Sequence, residues 1–153
     1  MADTDLNAAT LTVTITEALT VGHDVDGVDL DFAQTHKHTF GSIINTSKRI
    51  IKLANTNLTE VATFGSDTSD GAFVRADVRY IRVTNLDGTD ALQVGLDDEA
   101  SDAAYTSVAA NSSIMYTGTT CEGGHGGTTL DNATALKVKG VANHQLEVFI
   151  ASV

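Results

Sequence analysis

The sequence predicts an all-β fold: an antiparallel β-sandwich, jelly-roll-like, with about eight strands. The first reason is composition, because threonine and other β-branched residues are abundant and the strong helix formers are scarce. The second is the alternation of apolar and polar residues in several segments, which is typical of strands buried on one face. The third is that no segment of useful length shows an apolar stripe at the helical period.

The first half of the chain carries a series of short segments with the alternation or composition of strands. Residues 1–10 show no periodicity and are expected to form an extended N-terminal arm. The predicted strands of this half are Leu11–Thr16, Val28–Phe32, Phe40–Ile44, Arg49–Leu53 and Val61–Phe64. A polar loop bracketed by glycines, Gly65–Gly71, follows them.

A β-hairpin is the strongest local prediction. Val78–Thr84 alternates between apolar and polar side chains, and Leu92–Leu96 does the same a few residues later. Between them, Asp87 and Gly88 can supply the positive φ that a tight hairpin turn demands. We therefore predict that these two strands pair with each other.

The last third of the chain completes the predicted sandwich. Its strands are Ser113–Thr117, Ala135–Lys139 and Leu146–Ile150. The acidic stretch Asp97–Asp102 precedes them as a loop or one helical turn, and a glycine-rich loop spans Gly118–Thr129. Because the chain has no linker, no internal repeat and no shift in composition, the sequence predicts one β-sandwich domain over residues 1–153.

The composition excludes several classes of function. The chain has 153 residues, with 9 Lys and Arg against 20 Asp and Glu, and a net charge of −11. This charge repels phosphate backbones, so no nucleic acid is expected as a partner. A single cysteine excludes an internal disulfide framework. No apolar run approaches the ~20 residues of a membrane helix and the first residues show no secretory signal, so no membrane association is expected.

The run Asp24–Asp31 is the most metal-like feature, because its carboxylates alternate around Gly27. Calcium prefers about six to eight oxygen ligands, which such a loop can supply. However, the glycine comes one residue after the second Asp, and Thr35 stands where an EF-hand loop needs a bidentate Glu. We therefore predict an Asp-Gly turn that enters a strand with an acidic exposed face, and no metal.

Histidines and the cysteine form the second candidate site. His36 and His38 lie two residues apart, so on a strand both point to one face, where they can bind Zn²⁺ or Ni²⁺. Cys121, Glu122 and His125 stand together in the glycine-rich loop and can join them. Nothing marks Cys121 as an activated nucleophile, and the surrounding glycines argue against a rigid site. The prediction is solvated or core-edge histidines with an incidental thiol, and therefore no metal, no cofactor and no catalytic residue.

Three arginines gather positive charge in an otherwise acidic chain. They are Arg75, Arg79 and Arg82, and we expect them to pair with the many aspartate side chains of the same chain, with an inter-subunit contact as the alternative. No nucleophile with a matching base is found in the sequence, so the protein is predicted not to be an enzyme.

Two segments resemble small virion structural proteins of tailed bacteriophages. The first is Val78–Asp87, followed by a short turn and Leu92–Leu96. The second is Ala135–Lys139 with Leu146–Val153, which looks like the terminal hairpin of the same group. The likeness covers about the last half of the chain and contains no catalytic residue, so it carries over no active site.

This resemblance implies a non-enzymatic β-sandwich built into a virus particle. Within that class we expect a capsid decoration, or cement, protein that binds the major capsid protein on the exterior of the shell, because an acidic surface suits a position away from packaged DNA. The chain has no proline and few lysines to protect strand edges, so we expect neighbouring copies to cover them in a homo-oligomer, namely a trimer. The alternatives are a tail, neck or connector component, or a calcium-assisted carbohydrate-binding module of a tail fibre.

Overall fold

Nearly every described residue of the chain lies in or beside a β-strand. The computed structural model describes residues 8–20, 31–66, 73–98, 104–117 and 133–153. Within these ranges the chain forms eleven strands and one short 3-10 turn, Arg75–Asp77, and no α-helix. The all-β class is therefore confirmed.

The residues group into two compact units, 1–43 and 44–153, and the single-domain interpretation stays a prediction. In the first unit, β1 (Ala9–Thr20) pairs antiparallel with β2 (Asp31–Ile43), and we call this pair the N-terminal ribbon. Residues 1–7 of the predicted arm and residues 21–30, with most of the strand predicted at Val28–Phe32, lie outside the described residues.

Nine further strands form the second unit. They are β3 (Asn45–Lys52), β4 (Thr59–Gly65), β5 (Phe73–Val74), β6 (Val78–Asn85), β7 (Leu92–Asp98), β8 (Ala104–Val108), β9 (Ser113–Thr117), β10 (Ala133–Lys139) and β11 (Gln145–Ser152). One sheet has the order β5-β4-β10-β7-β8 and the other has the order β3-β11-β6-β9. The short β5 runs parallel to β4, and all other neighbours are antiparallel.

The long strands of this unit pair in a nested pattern. Leaving out the short β5, the first strand pairs with the last (β3 with β11) and the second with the next to last (β4 with β10). The two inner pairs are β6 with β9 and β7 with β8. This nesting of eight strands in two sheets is the pattern of a jelly roll.

The two sheets share one hydrophobic core. Ile81 and Val83 of β6 and Ile150 of β11 are fully buried, and so are Leu92 of β7 and Leu136 of β10 in the other sheet. All of them belong to one cluster, so the sheets pack face to face as a β-sandwich.

The predicted hairpin between Val78–Thr84 and Leu92–Leu96 is wrong. Both strands exist, as β6 and β7, but they lie in different sheets, and the connection 86–91 crosses from one sheet to the other. Gly88 does not adopt a positive φ, so no tight hairpin turn forms. The alternation of apolar and polar residues shows only that a strand has one buried face. Two consecutive strands have this pattern whether they pair in a hairpin or lie in opposite sheets, so the pattern does not predict the pairing.

The predicted terminal hairpin is wrong for the same reason. Ala135–Lys139 lies in β10 and Leu146–Ile150 lies in β11, and these strands belong to opposite sheets. The connection 140–144 crosses between the sheets beside the connection 86–91, since the backbone N–H of Leu86 donates to the carbonyl of Gln145 at 3.0 Å.

Candidate functional site

Only part of each of the two metal-like features in the sequence falls on described residues. Asp31 begins β2, and the rest of the Asp24–Asp31 run lies outside the described residues. Cys121, Glu122 and His125 also lie outside them. In the part of the chain that is described, no group of three or more His, Cys, Asp and Glu stands assembled around a point that could hold a metal ion.

His36 and His38 lie on one face of the N-terminal ribbon, as their spacing predicts. His36 stands opposite Ile15 and His38 stands opposite Val13, and both histidines are exposed. The imidazole Nε2 of His36 lies 3.7 Å from the carboxylate Oε2 of Glu17 on β1. The ribbon therefore carries two imidazoles and a carboxylate on the side that also bears its apolar residues.

The edges of this ribbon are suited to pairing with another chain. Among the described strands, β1 and β2 form a ladder only with each other. Strand edges are usually protected by proline, lysine or bulges, but β1 has no proline or lysine and β2 has only Lys37. Leu19 is also largely exposed, so the ribbon presents both backbone groups and apolar surface.

An ion cluster of Lys48, Arg82 and Glu147 occupies the face of the four-stranded sheet that points away from the core. Arg82 Nη2 donates to Glu147 Oε1 at 2.5 Å, and Lys48 Nζ lies 3.1 Å from Glu147 Oε2. The pKa of the Glu147 carboxyl is lowered by the hydrogen bonds from Lys48 and Arg82, although burial opposes this. The expected pairing of the arginines within the chain thus holds for Arg82, and its partner is a glutamate.

Aromatic and apolar side chains flank the ion cluster. The Arg82 guanidinium lies 5.9 Å from the centroid of the Phe149 ring, within the range of a cation–π contact. The Tyr80 ring packs edge-on against Phe149, and burial raises the pKa of the Tyr80 hydroxyl. In the register, Ile50 stands opposite Glu147 and Met115 opposite Arg82, and Ile50 is 67% exposed. This face combines an ion cluster of one net positive charge with exposed apolar surface, which suits it to contact with another protein.

A second polar cluster is buried where the connections cross from one sheet to the other. It consists of Asn85 and His144, and we call it the polar node. The Asn85 amide nitrogen donates to the carbonyls of Asp90, Val108 and Ala109 at 2.8, 3.1 and 3.1 Å. The Asn85 oxygen lies 2.6 Å from His144 Nε2, and both residues are fully buried. These bonds join the connections that follow β6, β8 and β10.

The hydrogen bonds of the node determine the tautomer of His144. The amide nitrogen of Asn85 faces three carbonyls, so its oxygen must face His144 Nε2 and accept a hydrogen bond from it. Nε2 therefore carries a proton, and the buried Nδ1 has no hydrogen-bond partner among the described residues. The imidazole thus serves as a structural donor.

A cavity of about 300 Å³ lies near the end of β11. It is lined by Asn45, Thr46, Phe73, Val74, Asp77, Ser152 and Val153. This lining combines one acidic side chain with hydroxyl, amide and apolar groups, and it contains no histidine, cysteine or lysine.

Comparison with known proteins identifies no relative. No family model, no curated protein and no solved structure matches the chain. No helix among the described residues is long and apolar enough to cross a membrane. The function has to be argued from the surfaces of the chain itself.

Proposed function

We propose that this chain is a non-enzymatic structural protein of a tailed bacteriophage virion, namely a capsid decoration protein on the exterior of the shell. Its partners are the major capsid protein and further copies of the same chain. The proposal starts from the sequence resemblance of Val78–Asp87 and Leu92–Leu96 to small virion proteins, and the β-sandwich that contains these strands is compatible with it. The resemblance does not extend to a hairpin, because β6 and β7 lie in different sheets.

The N-terminal ribbon is the observation that carries the proposal. A ribbon of two strands is marginally stable alone in water, because it buries little apolar surface. Here the strands span 12 and 13 residues, and residues 33–39 of β2 are all exposed. Strand addition from a neighbouring chain satisfies the unpaired backbone groups of such an edge. The ribbon is therefore the element through which copies bind one another, with a trimer as the expected assembly.

The charge of the chain agrees with a place outside the shell. A net charge of −11 disfavours contact with packaged DNA, which an inner position requires. The basic groups of the ion cluster are engaged within the chain, because Lys48 and Arg82 both pair with Glu147, which leaves the cluster with one net positive charge.

Imaging of assembled particles tests the location. The proposal expects density for the sandwich in many copies over the outer surface of the shell, and co-purification with the major capsid protein. Density in a few copies at the neck or tail would overturn the shell position and support the tail, neck or connector alternative.

Sedimentation and amide hydrogen exchange test the assembly. We expect a stable homo-oligomer at micromolar concentration, with the amides of β1 and β2 better protected in the oligomer than after dilution to monomer. A monomer at that concentration would count against the ribbon as an assembly element. A calcium-assisted carbohydrate module would instead gain thermal stability from about millimolar calcium.

A further inference from the structure

The strands β8 and β9 and the connection between them carry no charged side chain. Residues 103–121 contain no Asp, Glu, Lys, Arg or His, and this is the longest such run in a chain of net charge −11. The structure describes residues 104–117 of this run, which include both strands. We propose that the open edge of β9 is a contact between two copies of this chain, in which the two β9 strands pair antiparallel about a two-fold axis. This contact is separate from the N-terminal ribbon, and it holds or fails independently of the ribbon and of where the protein resides.

The two strands lie along the same side of the sandwich. Each is the last strand of its sheet, β8 beside β7 and β9 beside β6. Asn85 bonds to both ends of the connection that joins them, because its amide nitrogen donates to the Val108 carbonyl at 3.1 Å and its backbone N–H donates to the Ser112 carbonyl at 2.8 Å. Among the described strands, no other strand pairs with β8 or β9, so both present an open edge on this side.

The opposite edges of the two sheets are protected, whereas the edge of β9 is not. The other edge of the four-stranded sheet is β3, which carries Lys48, Arg49 and Lys52. The other edge of the five-stranded sheet is β5, which has only two residues. Charged side chains and short edge strands both hinder pairing with another chain. In contrast, β9 has five residues and no charge, so it lacks these protections.

The hydrogen-bond pattern of the β6–β9 ladder shows which backbone groups of β9 reach the open edge. In an antiparallel ladder, residues alternate between those bonded to the neighbouring strand and those whose N–H and C=O point away from it. The bond from Asn85 N–H to the Ser112 carbonyl sets this alternation, and the register continues without a shift through Ile114 and Met115. The backbone groups of Ile114 therefore face β6, and those of Met115 point to the open edge.

A second copy of β9 fits this edge. A two-fold axis at Met115 places the N–H and C=O of each Met115 opposite the C=O and N–H of the other, so the two strands exchange both bonds. The Met115 side chain is 38% exposed, and the two side chains then pack against each other on the outer face of the joined sheets.

The charge of the chain favours this edge over its acidic surfaces as the contact between copies. Two chains of net charge −11 repel each other, and a contact that brings acidic side chains together adds to this repulsion. Pairing through β9 brings uncharged side chains together, and the attraction comes from backbone hydrogen bonds and apolar contact. Salt screens the repulsion and leaves this attraction in place, so association should strengthen as salt is added.

Sedimentation of the full chain and of edge variants tests the contact. The parent chain should associate more strongly at about 0.5 M salt than at about 0.05 M salt. Met115→Glu should weaken self-association about tenfold or more, because the axis places two like charges directly opposite each other. This variant should fold, since the new carboxylate stands opposite Arg82. The matched control is Ile50→Lys on the β3 edge, where the new charge stands opposite Glu147 and association should equal that of the parent chain.

A mixture of two variants tests the two-fold axis. Met115→Lys should weaken self-association as Met115→Glu does, although it changes the net charge in the other direction. When the two variants are mixed, they should associate with each other, because a lysine then faces a glutamate across the axis. Absence of recovery in the mixture would overturn the proposal. So would equal association of Met115→Glu and the parent chain, or a loss in Ile50→Lys as large as that in Met115→Glu.

Amide hydrogen exchange provides a readout within the strand itself. The Met115 amide should be protected in the associated form and should exchange rapidly after dilution to monomer. The Ile114 amide, which faces β6, should stay protected in both and is the internal control. A Met115 amide that is protected at every concentration, or that exchanges rapidly in the associated form, would contradict pairing through β9. The amides of β1 and β2 report on the ribbon separately, so the failure of one contact is distinguishable from the failure of the other.

Discussion

The polar node and the ion cluster both involve β6 and β11, but they differ in burial and in charge pairing. Asn85 is the last residue of β6, and His144 immediately precedes β11. Arg82 and Glu147 lie further along these strands and point away from the core, and Lys48 joins them from β3. The node is fully buried and contains no ion pair, whereas the cluster pairs charged groups and its Lys48 side chain is 62% exposed. A buried neutral amide with no access to water should therefore matter more to stability than three partly hydrated charges.

The largest effect is expected for Asn85→Ala. The change leaves the buried Val108 carbonyl without this donor and leaves His144 Nε2 without its acceptor. The carbonyls of Asp90 and Ala109 lose the same donor, but both residues are exposed, and the Ala109 carbonyl still accepts from the backbone N–H of Ser112. A buried group without a partner costs about 1–3 kcal/mol, so we expect a loss of about 2–4 kcal/mol in the free energy of unfolding. Denaturant unfolding measures this loss of stability. The control is Asn57→Ala, at an exposed position, for which we expect only a small change in the free energy of unfolding. A loss below about 1 kcal/mol would contradict the importance of the node.

Gly140→Ala tests the packing around His144. A Cβ at position 140 would stand 2.8 Å from His144 Nδ1 and 3.1 Å from Leu53 Cδ1, which is too close for either neighbour. Overpacking of this kind costs about 1–3 kcal/mol. The matched control is Gly88→Ala, because a Cβ there would meet only Asn111 Nδ2, at 4.0 Å. Equal melting temperatures for the two variants would show that the node accommodates the methyl group.

Glu147→Gln should have a smaller effect, about 1 kcal/mol near neutral pH, because solvent screens the ion cluster. The pKa of Glu147 is lowered in the folded state, first by Lys48 and then by Arg82, from an ordinary value of 4.5. Its stabilisation is therefore present above the unfolded-state pKa and is lost as the pH falls through the folded-state pKa. The difference in unfolding free energy between the parent chain and Glu147→Gln should shrink on acidification. Glu60→Gln, at an exposed position, is the control.

Asp87→Asn is expected to have the smallest effect at neutral pH. The backbone N–H groups of Asp90 and Thr89 and the Thr89 hydroxyl donate to the Asp87 carboxylate and lower its pKa to about 2. An asparagine oxygen still accepts these bonds, so the connection keeps its shape. Only the stabilisation specific to the charge disappears, and in the parent chain it is lost as the pH falls toward 2. Nuclear magnetic resonance can follow the titration of the Asp87 carboxyl. A pKa near the ordinary value for aspartate would contradict the stabilisation of the charged carboxylate by these hydrogen bonds.

The sequence predicts the strands much better than their pairing. Alternation locates Ser113–Thr117 with both bounds of β9 correct, because a half-buried strand imposes that pattern locally. The same pattern does not tell which sheet a strand joins, and for this reason the pairing of β6 with β7 was predicted wrongly. Pairing depends on contacts between residues far apart in the chain, which have no local signal.

The same limit applies to the functional surfaces. The shared face of His36 and His38 follows from their spacing and is confirmed, but the approach of Glu17 depends on the register across residues 21–30. Asn85 and His144 are 59 residues apart and have no distinctive neighbours, so no motif predicts the polar node. A strand ending in asparagine before a turn is the one weak signal, because the amide can bond to neighbouring carbonyls.

The position of β11 in its sheet constrains the order in which the strands can pair during folding. This strand lies in the interior of its sheet, between β3 and β6, although it follows both of them in the chain. During synthesis, β3 and β6 therefore cannot pair with β11 until Gln145–Ser152 has left the ribosome. The four-stranded sheet forms only after that point. Such distant pairing slows folding and lengthens the exposure of open strand edges. A nascent chain that stalls before residue 145 is thus expected to be the species most prone to aggregation.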